Sequence, residues 1–320
     1  MRIFVTGASG LVGASLCTAL AEEGHEVTAL SRTQKNAGDE PRPRQGVLRW
    51  VQGDCTRPGS WMGAVDGAKA LVHLAGESIA AGPWTVARKA LLVDSRVEST
   101  RLLVRAAAKA QQRPELLVCA SATGIYGSRG EEELGESSKP GSDFLAGLCR
   151  DWEAAAREAE AVGLRVVSMR FGVVLSSRGG ALARMLMPFK LGLGAPLGPQ
   201  ANWFPWVHED DAVGLLRFAL HSACPDGVEW NAPGAPLCGA VNVVAPGSVR
   251  MGEFATTLGR VLKRPVFIRV PQFALRLALG ELADGLSPGQ KVRPEKALAA
   301  GYRFQHPELE GALRACLGKG

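Results

Sequence analysis

The chain has 320 residues, of which 46% are hydrophobic and 21% are charged, and its formal net charge is +6. This length and composition suit one large α/β domain, or such a domain with a smaller lobe. The basic residues are scattered and only two tyrosines accompany them, which argues against nucleic-acid binding. No apolar run approaches the roughly 18 residues of a membrane helix, so we expect no membrane association.

The seven cysteines show neither metal-ligand nor disulfide spacing. Cys17 and Cys119 lie in apolar runs, which is typical of small core residues in a reducing compartment. The first strand candidate begins at residue 3 and leaves no room for a signal or transit segment. We therefore expect a cytoplasmic protein without a bound metal.

The chain opens with a strand, a glycine-rich turn and a helix. An apolar run at Ile3–Val5 precedes the sequence Gly-Ala-Ser-Gly-Leu-Val-Gly. Gly7 suits the tight turn, Gly10 lets a pyrophosphate approach the backbone, and Gly13 permits close packing of helix on strand. This context predicts a dinucleotide site at a helix N-terminus, the alternative being an ordinary glycine-rich turn. The residues assigned to the cofactor here are Gly7, Ser9, Gly10, Leu11, Val12 and Gly13.

The second strand candidate, Val27–Leu30, is followed by Ser31 and Arg32. An NAD site usually carries an acidic residue here, which hydrogen-bonds the ribose hydroxyls. A hydroxyl and a guanidinium suit the 2′-phosphate of NADP instead, because arginine offers a planar, charged fork. The alternative is a solvated arginine in a basic surface loop. We assign both residues to the cofactor, which we expect to be NADP.

Short apolar runs alternate with helical patterns through residues 1–170. The strand candidates are Ile3–Val5, Val27–Leu30, Val47–Val51, Ala70–Leu74, Leu116–Ala120 and Arg165–Met169. Helical patterns cover residues 11–23, 94–111 and 148–162, and residues 32–46 resemble a mobile surface loop. The alternation predicts an α/β, Rossmann-like fold with a doubly wound parallel sheet.

The second half of the chain has a different character. An apolar helix at Leu182–Leu191 is followed by a loop rich in glycine and proline. A strand at Val241–Val244 and helices near 251–263, 271–282 and 306–317 complete the chain. We predict an NADP-binding Rossmann domain over residues 1–170. Residues 171–320 then form a smaller C-terminal substrate lobe with a helical extension, placed over the carboxyl edge of the sheet.

Further blocks of sequence carry a family resemblance. They are Leu74–Glu77, Asp94–Arg96, Arg150–Glu153, Arg170–Leu175, Pro188–Gly194, Phe204–Asp211, Gly289–Pro294 and Ala299–Tyr302. With the glycine turn, they make the chain similar to the extended short-chain dehydrogenase/reductases. Within that group it resembles an atypical branch of NAD(P)-dependent nucleotide-sugar epimerases with a C-terminal extension of unknown function. The resemblance covers essentially the whole chain.

This resemblance implies a catalytic Tyr-x-x-x-Lys pair, in which a lysine one helical turn away lowers the pKa of the phenol. The tyrosines of this chain are Tyr126 and Tyr302, and neither has a lysine four residues later. When Glu153 is aligned with a glutamate common in the parent family, Leu145 and Cys149 take the two catalytic positions. Both catalytic side chains are then absent.

Two catalytic candidates remain near the end of the fifth strand. Ser121 matches the substrate-positioning Ser/Thr of the superfamily, or else it is a serine that ends a strand. Tyr126 is either an alternative acid with an ordinary pKa of about 10, or a side chain that packs one edge of the pocket.

Four consecutive residues and one arginine complete the predicted cofactor site. Leu74, Ala75 and Gly76 form a turn that should pass beside the cofactor. Glu77 follows, and we expect it either to bind a ribose or substrate hydroxyl or to cap a helix. Arg96 is assigned to the cofactor or to an anionic substrate, with a surface ion pair as its alternative.

Three carboxylates have a structural alternative. Asp210 and Asp211, next to His208, fit a helix N-terminus, where the helix dipole favours negative charge. Asp54, after the third strand, either bonds the adenine amino group or closes a turn.

Two functions of different classes fit these residues. The first is an NADP(H)-binding, epimerase-like oxidoreductase that acts on a small polar substrate, for example a nucleotide sugar. The second is a non-catalytic NADP(H)-binding sensor or interaction protein, which the missing Tyr–Lys pair favours. Helices 94–111 and 148–162 match those through which parent-family members dimerise, so a homodimer is expected by analogy.

Overall fold

The structure is a computed structural model that describes residues 1–34, 44–196, 198–221, 237–266 and 289–319. In these ranges the strands are β1 (Arg2–Thr6), β2 (Glu26–Ser31), β3 (Val47–Gln52), β4 (Ala70–His73), β5 (Leu116–Ala122), β6 (Glu133–Leu134), β7 (Arg165–Phe171), β8 (Val173–Leu175), β9 (Trp203–Phe204), β10 (Trp206–His208), β11 (Gly239–Val243), β12 (Val249–Arg250) and β13 (Lys291–Val292). The α-helices are α1 (Leu11–Glu22), α2 (Val86–Val93), α3 (Ser99–Lys109), α4 (Phe144–Arg157), α5 (Gly180–Lys190), α6 (Glu209–His221), α7 (Met251–Leu262), α8 (Glu295–Ala299) and α9 (Leu309–Cys316).

Among the described residues, seven parallel strands form the central sheet, in the order β11-β7-β5-β4-β1-β2-β3. The chain moves outward from β1 to β2 and β3, then crosses back to β4 on the other side of β1. The two directions diverge at β1 and β4, which is the place where folds of this kind bind ligands. The predicted doubly wound parallel sheet is confirmed, and all six predicted strands of the first half belong to it.

Helices cover both faces of the sheet, which explains why its strands are apolar nearly throughout. On one face, Phe4 and Leu71 pack with residues of α3 and α4 in one hydrophobic core. On the other face, Ile3 and Val72 pack with residues of α1 and α6 in a second core. Because successive strand residues point to opposite faces, each strand contributes to both cores.

The helices of the first half differ in detail from their prediction. The predicted helix 94–111 begins with a π-helical turn at Asp94–Glu98, which joins α2 to α3. The helix predicted over 148–162 starts earlier, as α4, and ends in a 3₁₀ turn at Glu158–Val162. Residues 35–43 of the predicted surface loop lie outside the described residues.

The second half of the chain contributes to the sheet as well as to a lobe. Strand β11 pairs in parallel with β7, and α6 packs on the same face as α1. The expected boundary after residue 170 is therefore not a boundary of the sheet. The lobe itself is built from α5, α7 and α9, which share a third hydrophobic core. The helix predicted at 271–282 lies outside the described residues. No helix in the described ranges is long and apolar enough to span a membrane.

Candidate functional site

The glycine turn after β1 holds three glycines for different reasons. Gly7 has a φ of +68°, and a Cβ there would lie 2.5 Å from the carbonyl carbon of Leu74. A Cβ on Gly13 would lie 2.2 Å from the carbonyl oxygen of Gly7. At Gly10, a Cβ would have the Gly7 oxygen, at 3.2 Å, as its sole described neighbour within 4 Å. The chain's own packing thus requires two of the glycines, while the third borders open space.

Helix α1 starts at this open space. Gly10 is its N-cap residue, and no described side chain caps the helix. Ser9 is exposed, while Leu11 and Val12 are half-buried at the first turn. The uncapped N–H groups of a helix start attract an anion through hydrogen bonding and the helix dipole.

Arg32 and Glu77 meet in front of the carboxyl end of β1. Nη1 of Arg32 lies 3.1 Å from Oε1 of Glu77. One residue follows β2 and the other follows β4, and these two strands flank β1 on either side. Ser31 points inward instead, where it is buried and accepts the N–H of Thr33 at 3.3 Å.

The main chain of Glu77 is held on both sides. Its N–H donates to Oγ of Ser95 at 3.1 Å, and its carbonyl accepts from Nη2 of Arg96 at 2.9 Å. Glu77 does not cap a helix, because α2 begins at Val86 and is capped by the hydroxyl of Thr85. The helix-cap alternative for Glu77 was therefore wrong.

Arg96 lies on the π-helical turn and reaches under the β4 loop. Its guanidinium packs over the ring of Trp152, with Cζ 5.2 Å from the ring centroid. A Cβ on Gly76 would lie 3.2 Å from that Cζ, so a side chain there would crowd the guanidinium. Burial lowers the pKa of Arg96, although an arginine keeps its charge at neutral pH. A half-buried cation therefore lies between the β4 loop and α4.

Ser121, at the end of β5, belongs to a buried ionic network. Its hydroxyl donates to Oε1 of Glu153 at 2.7 Å. Arg170 binds the same carboxylate through two hydrogen bonds, of 2.8 and 2.9 Å. Burial opposes the charge on Arg170, but the hydrogen bonds and the electrostatic attraction to Glu153 and Tyr126 together outweigh burial and raise its pKa. The hydroxyl proton of Ser121 is thus committed to an internal partner.

Tyr126 extends the same network and does not border a pocket. Its side chain is 0% exposed, and its hydroxyl donates to Oδ1 of Asn242 at 2.6 Å. That hydroxyl also accepts from Nη1 of Arg170 at 2.9 Å. Burial raises the pKa of Tyr126 to about 12, so the expected value of about 10 was wrong. The expected place of Tyr126 at the pocket edge was also wrong, because the residue is sealed within the protein.

The two positions aligned with the missing Tyr–Lys pair lie on α4. Leu145 and Cys149 both approach Gly124, where a Cβ would lie 3.5 Å from Cβ of Leu145 and 4.0 Å from Sγ of Cys149. Burial raises the pKa of the Cys149 thiol to about 12, which leaves it protonated at neutral pH. Neither side chain offers a proton donor or a cation of the kind that the parent family uses.

The other carboxylate candidates have structural partners. Asp54 accepts the N–H and the hydroxyl of Thr56, at 2.9 and 2.7 Å, and so closes a turn. Asp211, in the first turn of α6, accepts the N–H groups of Gln305 and His306 at 2.7 and 2.9 Å. The structural interpretation of the helix N-terminus is therefore confirmed for Asp211.

Two groups of side chains in the described ranges bring possible metal ligands together. They are Glu23, His25 and His221, and His208, Asp210 and His306. Neither group contains a residue of the glycine turn or of the β4 and β5 ends. The expectation that no metal takes part stays a prediction.

The sequence and the fold of the chain both match known proteins. The sequence pattern of the NAD dependent epimerase/dehydratase family matches residues 3–232. The chain belongs to this family. A domain of unknown function, DUF1731, matches residues 270–316 of this epimerase-family protein. That match coincides with the C-terminal extension expected from the sequence.

Relatives and solved structures are similar over the full length. The epimerase-family protein YfhF of Bacillus subtilis is 35% identical over 98% of this chain and 97% of its own length. The crystal structure of human epimerase-family protein SDR39U1 with NADPH is 34% identical, covers both chains completely and has a TM-score of 0.84. UDP-glucuronic acid 4-epimerase from Bacillus cereus has a TM-score of 0.78 at 14% identity, which shows the shared fold alone.

Sequence reasoning missed most of the buried network of this epimerase-family protein. The sequence analysis predicts no role for Asn242 or Glu136, but in the structure Glu136 accepts the N–H of Asn242 at 3.0 Å. Arg170 was seen as part of a motif and not as the partner of Glu153. A usable signal existed, because Arg170 and Asn242 are polar residues inside apolar strands, and buried polar groups need partners.

Proposed function

We propose that this protein binds NADP(H) at the glycine turn and is an epimerase-like oxidoreductase for a small polar substrate such as a nucleotide sugar. The observation that carries the proposal is the open space at Gly10, beside an uncapped helix start. A pyrophosphate needs close backbone approach and free N–H groups. The NADPH in the SDR39U1 crystal structure supports the same cofactor.

The residues around the turn fit the rest of this cofactor. Arg32, whose side chain is 74% exposed, offers the 2′-phosphate a charged partner. The turn of Leu74, Ala75 and Gly76 borders Gly7, as expected for a segment that passes beside the cofactor. When bound, the nicotinamide supplies the hydride chemistry that the protein's own side chains lack.

We assign Arg96 as the cation of this site, in place of the lysine that the parent family uses. The parent family places a lysine on the helix equivalent to α4, but this chain has Cys149 there. Arg96 approaches the same region from the π-helical turn, because its guanidinium packs over the ring of Trp152 on α4. Three of its five N–H groups bond the Leu92 carbonyl, Ser95 Oγ and the Glu77 carbonyl. The other two are unassigned among the described residues and suit a ribose or substrate oxygen.

Ser121 remains our candidate for orienting the substrate, because its oxygen can still accept hydrogen bonds while its proton is donated to Glu153.

The second candidate function, a non-catalytic NADP(H) sensor, is favoured by one observation. Tyr126, the remaining phenol near Ser121, is fully buried with a raised pKa and cannot meet a substrate. The homodimer expected from helices 94–111 and 148–162 stays a prediction.

A cofactor titration tests the proposal. We expect NADPH to bind about tenfold to a hundredfold more tightly than NADH, because charge-assisted hydrogen bonds contribute roughly 1.5–3 kcal/mol. The variant Arg32→Ala should lose most of this preference. Nicotinamide fluorescence or calorimetry gives both dissociation constants.

The matched control is Arg44→Ala, which removes an exposed arginine from the same basic segment. Its NADPH preference should equal that of the wild type. Equal affinities of the wild-type protein for NADPH and NADH would refute the assignment of Arg32.

A further inference from the structure

The ion pair between Arg32 and Glu77 spans the predicted adenosine side of the site. Strands β2 and β4 lie two strand spacings apart, or roughly 9.6 Å. The pair joins the ends of these strands at 3.1 Å, in front of β1 and its glycine turn. The arginine expected to bind the 2′-phosphate is therefore already bound to an anion of the protein itself.

The two partners of this pair differ in how firmly they are held. The main chain of Glu77 bonds to Ser95 and Arg96, and its Oε2 lies 3.6 Å from Nη1 of Arg88. Arg88 is anchored in turn, because its Nη2 donates to the carbonyl of Ser78. The side chain of Arg32 is 74% exposed, whereas that of Glu77 is 28% exposed. Arg32 is thus the member that can move, while Glu77 keeps a second cation.

We infer that Glu77 competes with the 2′-phosphate of NADP(H) for Arg32 and so sets how strongly the site distinguishes NADPH from NADH. This inference rests on the proposed function. Glu77 takes Nη1 of Arg32, so a phosphate that binds the Nη1–Nη2 edge of the guanidinium in bidentate fashion competes with Glu77 for that nitrogen. NADH has no 2′-phosphate, so it offers no oxyanion that competes with Glu77 for Arg32. Arg88 stays with Glu77 and neutralises it after Arg32 has moved.

The variant Glu77→Gln tests this competition. It removes the negative charge and keeps the size of the side chain and both main-chain hydrogen bonds. We expect NADPH to bind about twofold to fivefold more tightly than to the wild type, which is the range for an exposed ion pair. A contact of Glu77 with a ribose hydroxyl would be common to both cofactors, so the decisive quantity is the ratio of the NADH to the NADPH dissociation constant, which should rise about twofold to fivefold. Glu77→Ala should raise the ratio in the same way and covers the case that Glu77→Gln does not fold.

The matched control is Glu310→Gln, whose carboxylate also lies between two arginines. Arg260 and Arg314 each approach Glu310 to 2.9 Å, in the C-terminal lobe. This variant makes the same change in net charge as Glu77→Gln, but at a position outside the predicted cofactor site. It should therefore leave the affinities for NADPH and NADH unchanged. A matching rise in NADPH affinity there would attribute the effect to net charge and overturn the inference.

Two further outcomes separate the inference from the proposed function. If the wild type prefers NADPH but Glu77→Gln weakens or does not alter that preference, Glu77 is no competitor and the inference fails alone. If the wild type binds both cofactors equally, the assignment of Arg32 fails, and the inference fails with it.

Discussion

At the scale of single residues, a substitution at Gly10 should affect NADPH binding much more than it affects folding. A Cβ on Gly10 would make one tight contact, 3.2 Å from the Gly7 oxygen, and would otherwise border open space, so Gly10→Val should abolish NADPH binding by filling the place of the pyrophosphate. Loss of an N-cap residue costs about 0.5–2 kcal/mol, so the melting temperature should fall by no more than about 8 °C. Calorimetric titration and a thermal melt measure the two effects.

Gly13→Val is the informative contrast to this variant. Its Cβ would lie 2.2 Å from the Gly7 oxygen, so it should lower the melting temperature far more. Normal NADPH binding by Gly10→Val would mean that the glycine turn is merely structural.

The residues also show how far sequence could predict the site. The need for glycine at positions 7 and 13 was predictable because it follows from local backbone geometry, whereas the assignment of Arg32 to a phosphate, which follows from its charge, stays a prediction. The partners of Tyr126 were not accessible, since Arg170 and Asn242 are distant in sequence and meet it through the sheet order. A phenol near a strand end looks the same in sequence whether it faces a pocket or a buried arginine.

At the scale of elements, His73 joins β4 to β1 and to α3. It is fully buried, and its ring nitrogens lie 2.6 Å from Oγ1 of Thr6 and 3.0 Å from Oγ of Ser99. Ser99 donates its own proton to the carbonyl of Ser95, so it accepts from Nε2 of His73, and Thr6 donates to Nδ1. Both nitrogens are satisfied when the ring is neutral.

This arrangement predicts a loss of stability in mild acid. Burial lowers the pKa of His73 to about 4, below the unfolded value of about 6.5. The contribution of neutral His73 to the free energy of unfolding is therefore complete above pH 6.5 and is lost as the pH falls towards 4. At pH 5 the loss is about 2 kcal/mol. Urea unfolding of the wild type and of His73→Gln at pH 7.5 and at pH 5 measures this loss of stability. His25 and His208 also have lowered pKa values, so the difference between the two proteins is the decisive quantity. An equal loss in both proteins would contradict the prediction.

The elements themselves were largely predictable, because buried parallel strands are continuous apolar runs separated by helical patterns. The π-helical turn at Asp94–Glu98 was not predictable, since local propensity does not distinguish it from the surrounding helix. Neither were the two- and three-residue strands β9, β10 and β12, which are too short to carry a periodic pattern.

At the scale of the whole molecule, the sheet and the lobe share the chain without a clean division. Six of the seven strands of the central sheet come from the first half of the chain, while β11 and α6 come from the part that also builds the lobe. The pattern of apolar runs does not reveal that a strand from the second half of the chain joins this sheet. Tertiary packing determines which strands pair when they are far apart in sequence. The composition change after Arg170 marks the start of the lobe but not the end of the sheet.

The late arrival of β11 has a consequence for biosynthesis. Until residues 239–243 leave the ribosome, β7 is an open edge with unpaired backbone groups, and the α1 face lacks α6. At roughly 5–20 residues per second, about 3–14 seconds separate the synthesis of residue 171 from that of residue 239. A fragment of residues 1–170 should therefore aggregate when expressed alone, while the full chain stays in solution. Sedimentation of both after expression measures this, and a monomeric, folded fragment would show that the nascent sheet needs no protection.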